Sequence, residues 1–274
     1  MLDRLWKGLR RRREEAAVAR RAIPDDLWKR TLIRNPFLRR TRPEDAAELR
    51  RLTSLFLDRK EFSTAGGLKL TDAMVVTIAA QAVLPVLRLG LQRYDGFVGI
   101  VVHPGQVVAR REHRDDDGLV HEYDEVLAGE AMEGGPVMLS WQDVRLAPSL
   151  AAQSYNVVVH EFAHVLDMED GVADGTPLLP PDIPAAEWQA TMSAEFERFA
   201  AQVEQLGDDT TSLALDPYGA QAEEEFFAVA SEAFFVNPAA FRREHPAVYA
   251  MFARYYRQDP ENDTPPARAG RGGV

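Results

Sequence analysis

The chain contains no cysteine. That absence excludes disulfides, thiolate metal sites and cysteine nucleophiles together, so a metal site here must be built from His, Asp or Glu. A bilayer-length apolar run is also missing. The most apolar stretch, "AMVVTIAAQAVLPVL" over 73–87, is short for a membrane span, contains Thr77, Gln81 and Pro85, and is followed by Arg88. It reads as a buried core helix. The N-terminus "MLDRLWKGLRRRREEAAVARR" lacks the apolar core of a secretory leader. The expectation is a cytoplasmic protein with no transmembrane segment.

Positive charge is scarce outside one region. Residues 1–60 hold 18 of the 32 Lys and Arg and 9 of the 43 Asp and Glu, for a charge of +9. The remainder carries −20. A body this acidic argues against direct nucleic-acid binding, which needs clustered cations against phosphate. The basic segment is left either to complement the acidic body or to meet an acidic partner.

What is present reads as helices, then a few strands, then helices, the pattern of an α+β fold with one small mixed sheet. Leu2, Leu5, Trp6 and Leu9 have helical spacing, which predicts an amphipathic helix in a basic extension over 1–20. "RPEDAAELRRLTSLFLDRKEF" predicts a further helix. "STAGGLKL" is a break, and Thr71-Asp72 caps the apolar helix after it. "FVGIVVHP" (97–104), "QVVAR" (106–110) and "GGPVMLSW" (134–141) predict strands, the last a sheet edge. "REHRDDDGLVHEYDE" is a polar loop or hairpin. From Ser149 the pattern is helical, broken by an irregular loop over 170–184. One folded domain over 21–261 is expected, with a helical part over 21–95, a second part over 96–261, and a disordered tail over 262–274.

The chemistry concentrates in "NVVVHEFAHVLDMEDG" (156–171). On a helix His160 and His164 stand one above the other and can aim two ring nitrogens at one ion. Glu161 sits about 100° round from His160 and can reach a metal-bound water without ligating. Zinc with three protein ligands leaves a fourth position for water, and the glutamate takes its proton. Two core histidines on a buried helix remain the alternative. A third ligand would decide between them. "DPYGAQAEEEFFAVASEAFFVNP" (216–238) offers Glu225 and Glu232, two turns apart on one face, beside phenylalanines that make an unpaired carboxylate costly. Glu223 and Glu224 read as solvated. A surface acidic face stands as the alternative for this segment.

"YNVVVHEFAHVLD" (155–167), "YGAQAEEEFFAVASEAFF" (218–235), "GPVMLSW" (135–141) and "LKLTDAMVVTIAAQAVLPVL" (68–87) resemble the Mlc titration factor A family of zinc-dependent peptidases. The resemblance spans all but the tails of the chain. It implies a zincin-like gluzincin fold, with an N-terminal helical region, an HExxH helix, a second ligand-bearing helix, and a core similar to the anthrax lethal factor protease domain. It implies one Zn2+ per chain held by His160, His164 and Glu225, with Glu161 as general base. It places Glu232 where a carboxylate orients a ligand histidine, and Tyr218 where a phenol can assist at the active site. The implied activity is aminopeptidase-like hydrolysis of a peptide substrate, whose amine would need a carboxylate that the acids of "HEYDE" or Glu223 and Glu224 could supply. The second implied role is regulatory, sequestering a transcriptional repressor of the Mlc type. A closed, purely structural zinc site is a third reading, disfavoured because three ligands with an adjacent base leave a position open. "GPVMLSW" is expected to lie open beside the zinc and receive an extended substrate.

Overall fold

A computed structural model describes residues 2–114, 120–132, 134–207 and 209–263, with side chains described from Gly8 onward except in the hairpin 108–127. The expected tail beyond Asp263 and the tip of the polar 111–125 segment lie outside the described residues.

The chain opens with α1 (Leu2–Arg20), α2 (Asp25–Arg34) and α3 (Pro43–Arg59). The N-terminal helix is longer than its leucine spacing predicts. Its far end is docked, since Ala17 is buried and Glu14–Arg51 and Arg20–Asp58 ion pairs tie it to α3. Those partners lie inside the basic segment itself. The predicted helix over 42–62 ends early at Arg59, because Glu61–Thr64 form β1. Its pairing with a distant strand overrides local helical spacing. A turn at Gly66 and Gly67, both with positive φ, leads to α4 (Asp72–Ala82). Thr71 caps it, accepting from the Met74 N–H at 3.3 Å. This helix is buried as its composition predicts, but it ends at Ala82, short of the expected end of the 73–87 stretch, because Pro85 cannot continue it.

Next come β2 (Gly99–His103), the hairpin β3 (Val107–Arg114) and β4 (Val120–Leu127), β5 (Gly129–Ala131) and β6 (Val137–Ser140). The hairpin forms its own two-stranded sheet. The other four strands form one mixed sheet in the order β1-β2-β6-β5. Glu61 pairs with Gly99 and Ile100 with Val137 in parallel, whereas Gly129 pairs with Leu139 antiparallel. The expectation that "GPVMLSW" is a sheet edge is therefore wrong. β6 is flanked on both sides, and the edges of this sheet are β1 and β5, the latter too short to show alternation.

The rest is helical: α5 (Trp141–Leu146), α6 (Val157–Asp167), α7 (Ala185–Leu206), α8 (Glu223–Val236), α9 (Pro238–Glu244), α10 (Pro246–Tyr256) and α11 (Pro260–Asp263). The last takes in Asn262 and Asp263, which were expected to belong to the disordered tail. Asp263 accepts from the Thr41 N–H at 2.8 Å, which holds this end against the start of α3. One continuous apolar core runs from Ala17 to Tyr256. In it, Phe162 of α6 packs against Phe56, Tyr94 and Phe97 at centroid distances of 5.6, 5.1 and 5.8 Å. Trp188, Phe227, Phe252 and Tyr255 wedge α8 between α7 and α10. Among the described residues no helix is long and apolar enough to cross a membrane.

Candidate metal centre

α6 begins at Asn156, whose Oδ1 accepts from the Val159 N–H at 3.0 Å. Its Nδ2 donates to Gln81 Oε1 at 2.8 Å, so the start of α6 is anchored on α4. Three successive valines are poor helix formers. Here they are buried, and packing overrides the propensity. With that face on the core, His160 and His164 turn the other way, toward α8.

α8 presents Glu225 and Glu232 to the same imidazole. Glu232 Oε1 lies 2.8 Å from His160 Nδ1, and its other oxygen accepts the Asn156 backbone N–H. When the ring is neutral, a carboxylate on Nδ1 makes that nitrogen the donor and leaves Nε2 as the lone-pair nitrogen. His160 Nε2 lies 3.2 Å from His164 Nε2 and 3.2 Å from Glu225 Oε2. His164 Nε2 lies 3.4 Å from the same oxygen. Glu225 Oε2 is buried and has no hydrogen bond. One shared proton can satisfy a single edge of this triangle of acceptors, whereas a cation at its centre satisfies all three corners. The residues present fit a divalent metal ion. Among the described residues this is the one group of His, Asp and Glu able to hold one.

The electrostatics have the same sense. Burial opposes charge on His160, but the Glu225 and Glu232 carboxylates overcome it and hold its pKa well above the usual value. Burial also works against the Glu225 carboxylate, and His160 and His164 nevertheless hold its pKa down at about 2. The pocket stabilises positive charge between the two rings.

Glu161 is the neighbour of the first ring but faces the sheet. It is 5% exposed, with burial raising its pKa to about 8 against the lowering effect of His160. A backbone hydrogen bond from Ala131 of β5 holds it. A Cβ at Gly129 would lie 2.6 and 2.7 Å from Glu161 Cγ and Cδ, so only glycine leaves room for this side chain. Tyr218 sits on a single 3₁₀ turn over Pro217–Ala220, set by Asp216, whose Oδ1 accepts the Tyr218 N–H at 2.9 Å. Its ring centroid is 6.1 Å from that of His160. The helix read over 216–238 thus starts only at Glu223.

These groups line a cavity of 280 Å³ together with Glu130, Met168, Ala173 and Glu224. A larger concavity of 690 Å³ lies between α1, α3, β1 and α4, away from the histidines. Donor chemistry favours the smaller one. Sequence reasoning missed Gly129, Glu130 and Ala131, because glycine opposite an HExxH glutamate carries no local signal. Of the two acids it left either solvated or near a substrate amine, Glu224 lines the cavity. Of the other histidines, His103 ends β2 opposite Ser140 and stands outside the donor set. His245 is buried, 3.2 Å from Glu195 and 2.8 Å from Arg198. The side chains of His113 and His121 lie outside the described residues.

Residues 6–257 match the family model described as Glucose-regulated metallo-peptidase M90, and the chain belongs to this metallopeptidase family. It is 37% identical to Mlc titration factor A of Pectobacterium atrosepticum over 227 residues, 82% of this chain and 83% of that protein. It is 43% identical to Mlc titration factor A of Edwardsiella ictaluri over 194 residues, 70% of this chain and 72% of that protein. The Klebsiella pneumoniae protein of the same name is 36% identical over 234 residues.

Proposed function

We propose that the chain is a zinc-dependent peptidase in which His160, His164 and Glu225 hold the ion and Glu161 is the general base. The observation that carries this reading is the close triangle of Nε2, Nε2 and Oε2, whose buried oxygen has no hydrogen bond. Zinc bonds of about 2.0–2.1 Å in a tetrahedral arrangement space their ligands about 3.3–3.4 Å apart, against the 3.2, 3.2 and 3.4 Å found. When bound, zinc supplies Lewis acidity that makes water a competent nucleophile near neutral pH. Glu161, placed beside the donor set and against β5, takes the proton of the attacking water in its ionised form, which a cation at the donor set would favour, and passes it to the leaving amine. The Tyr218 phenol donates to the oxygen on which negative charge develops. β5 lines the cleft beside Glu161, where an extended peptide can add as a further strand through main-chain hydrogen bonds. Aminopeptidase-like action is the specific form proposed, with Glu224, which lines the same cavity, supplying negative charge near the substrate amine. The cellular site proposed is the cytoplasm.

The test is metal content and peptide hydrolysis measured on the parent chain and on Glu161→Gln. One zinc per chain in both, with hydrolysis lost only in the variant, is expected. Absence of zinc from the parent overturns the reading.

A second role has its own support, because the relatives are named for titrating Mlc. We propose that this chain also binds a transcriptional repressor of that type. Pull-down of such a repressor by a zinc-free His160→Ala variant would show binding independent of hydrolysis. No capture by the parent chain would remove this role.

A further inference from the structure

Gly175 stands where the ends of three helices meet. Its N–H donates to Asp167 Oδ2 at 2.9 Å, and its carbonyl accepts from Trp188 Nε1 at 3.0 Å. Asp167 is the last residue of α6 and Trp188 lies near the start of α7, and both are fully buried. On its remaining side Gly175 meets the backbone of α8. A Cβ there would lie 2.7 Å from the Glu223 carbonyl oxygen and 2.9 Å from its carbonyl carbon. Its φ of +76° is a second reason for glycine.

The two helices that Gly175 separates carry the whole donor set. His164 lies one turn before Asp167, and Glu225 shares the first turn of α8 with Glu223. Ordinary Cβ contacts begin at 3.4 Å, so a methyl group at Gly175 must move the Glu223 carbonyl or the loop by several tenths of an ångström. Metal–ligand distances tolerate only about 0.2 Å. Retreat of the loop is opposed by Asp167 and Trp188, which grip Gly175 by its two backbone polar groups.

We propose that Gly175, gripped by Asp167 and Trp188, is a spacer that sets α8 against α6 and thereby places Glu225 opposite His160 and His164. All three are positioning residues that act through the helices. The inference rests on the metal-centre reading and adds to it a determinant outside the ligands.

The experiment compares zinc dissociation constants, by chelator competition on the full chain, for the parent, Gly175→Ala and Gly171→Ala. Gly171 has a φ of +94° in the same loop but is exposed, so its alanine variant introduces the same kind of backbone strain at a solvent-facing position. Gly175→Ala is expected to weaken zinc binding about tenfold or more, in the range of other residues that orient metal ligands. Gly171→Ala is expected to leave it within about twofold of the parent. Should Gly175→Ala fail to fold, Asp167→Ala is expected to weaken zinc binding. Asp167→Asn, which keeps a carbonyl acceptor for the Gly175 N–H, is expected to restore most of it. Unchanged affinity in Gly175→Ala, or equal weakening in Gly171→Ala, would overturn the proposal alone. No zinc binding by the parent would overturn the metal-centre reading and this proposal with it.

Discussion

Glu232 and His160, 72 residues apart in sequence, meet at 2.8 Å between Oε1 and Nδ1. The same carboxylate accepts the Asn156 backbone N–H at the start of α6. One side chain therefore fixes both the ring's orientation and the helix that carries it. Replacing Glu232 by Ala is expected to weaken metal affinity about 10–100-fold. Glu232→Gln, which retains an acceptor, should lose less. Titration with a chelator checks this, and wild-type affinity in Glu232→Ala would refute it.

Tyr218→Phe removes a hydroxyl while keeping the ring beside His160. The expected outcome is a kcat lower by about 10²-fold, with zinc content intact, as for loss of a donor to a developing oxyanion. An unchanged kcat would assign the tyrosine to packing alone.

Gly129→Ala places a methyl group where Glu161 Cγ and Cδ stand. The carboxylate must leave its position against β5, while His160, His164 and Glu225 are untouched. Hydrolysis should fall toward the level of Glu161→Gln with full zinc occupancy. Parent-like hydrolysis would show that Glu161 has room that the fold does not display.

Lys60 gives a pH signature remote from the site. It is buried, its Nζ donates to the Tyr94 and Phe97 carbonyls, and it sits 3.7 Å over the Phe97 ring. Burial lowers its pKa to about 8 from 10.5. Between those values the unfolded chain binds more protons than the native one, so stability contributed by this group rises with pH. The cost of its buried charge is fully present below about pH 8. Thermal unfolding of the parent relative to Lys60→Met should therefore shift upward between about pH 8 and 10.5. A constant difference across that window would contradict the assignment.

Features set by helical period were legible in the chain alone. The i, i+4 spacing of His160 and His164, and the two-turn spacing of Glu225 and Glu232, place each pair on one face wherever the helix goes. The lack of cysteine restricted the donors to His and carboxylates, and the apolar 73–87 stretch announced a buried helix. Tertiary structure decided the rest. β5 became an edge, and β6 an interior strand, because sheet order follows from long-range pairing, whereas alternation within a strand reports only its two faces. Three residues of "GEA" give no alternation to read. Gly175 against Glu223, and Gly129 against Glu161, are approaches between segments far apart in sequence. A glycine's missing Cβ becomes informative only when the neighbour filling its place is known. Local sequence determined which groups this protein can aim at one ion; the packing of α6, α8 and β5 decided that they meet.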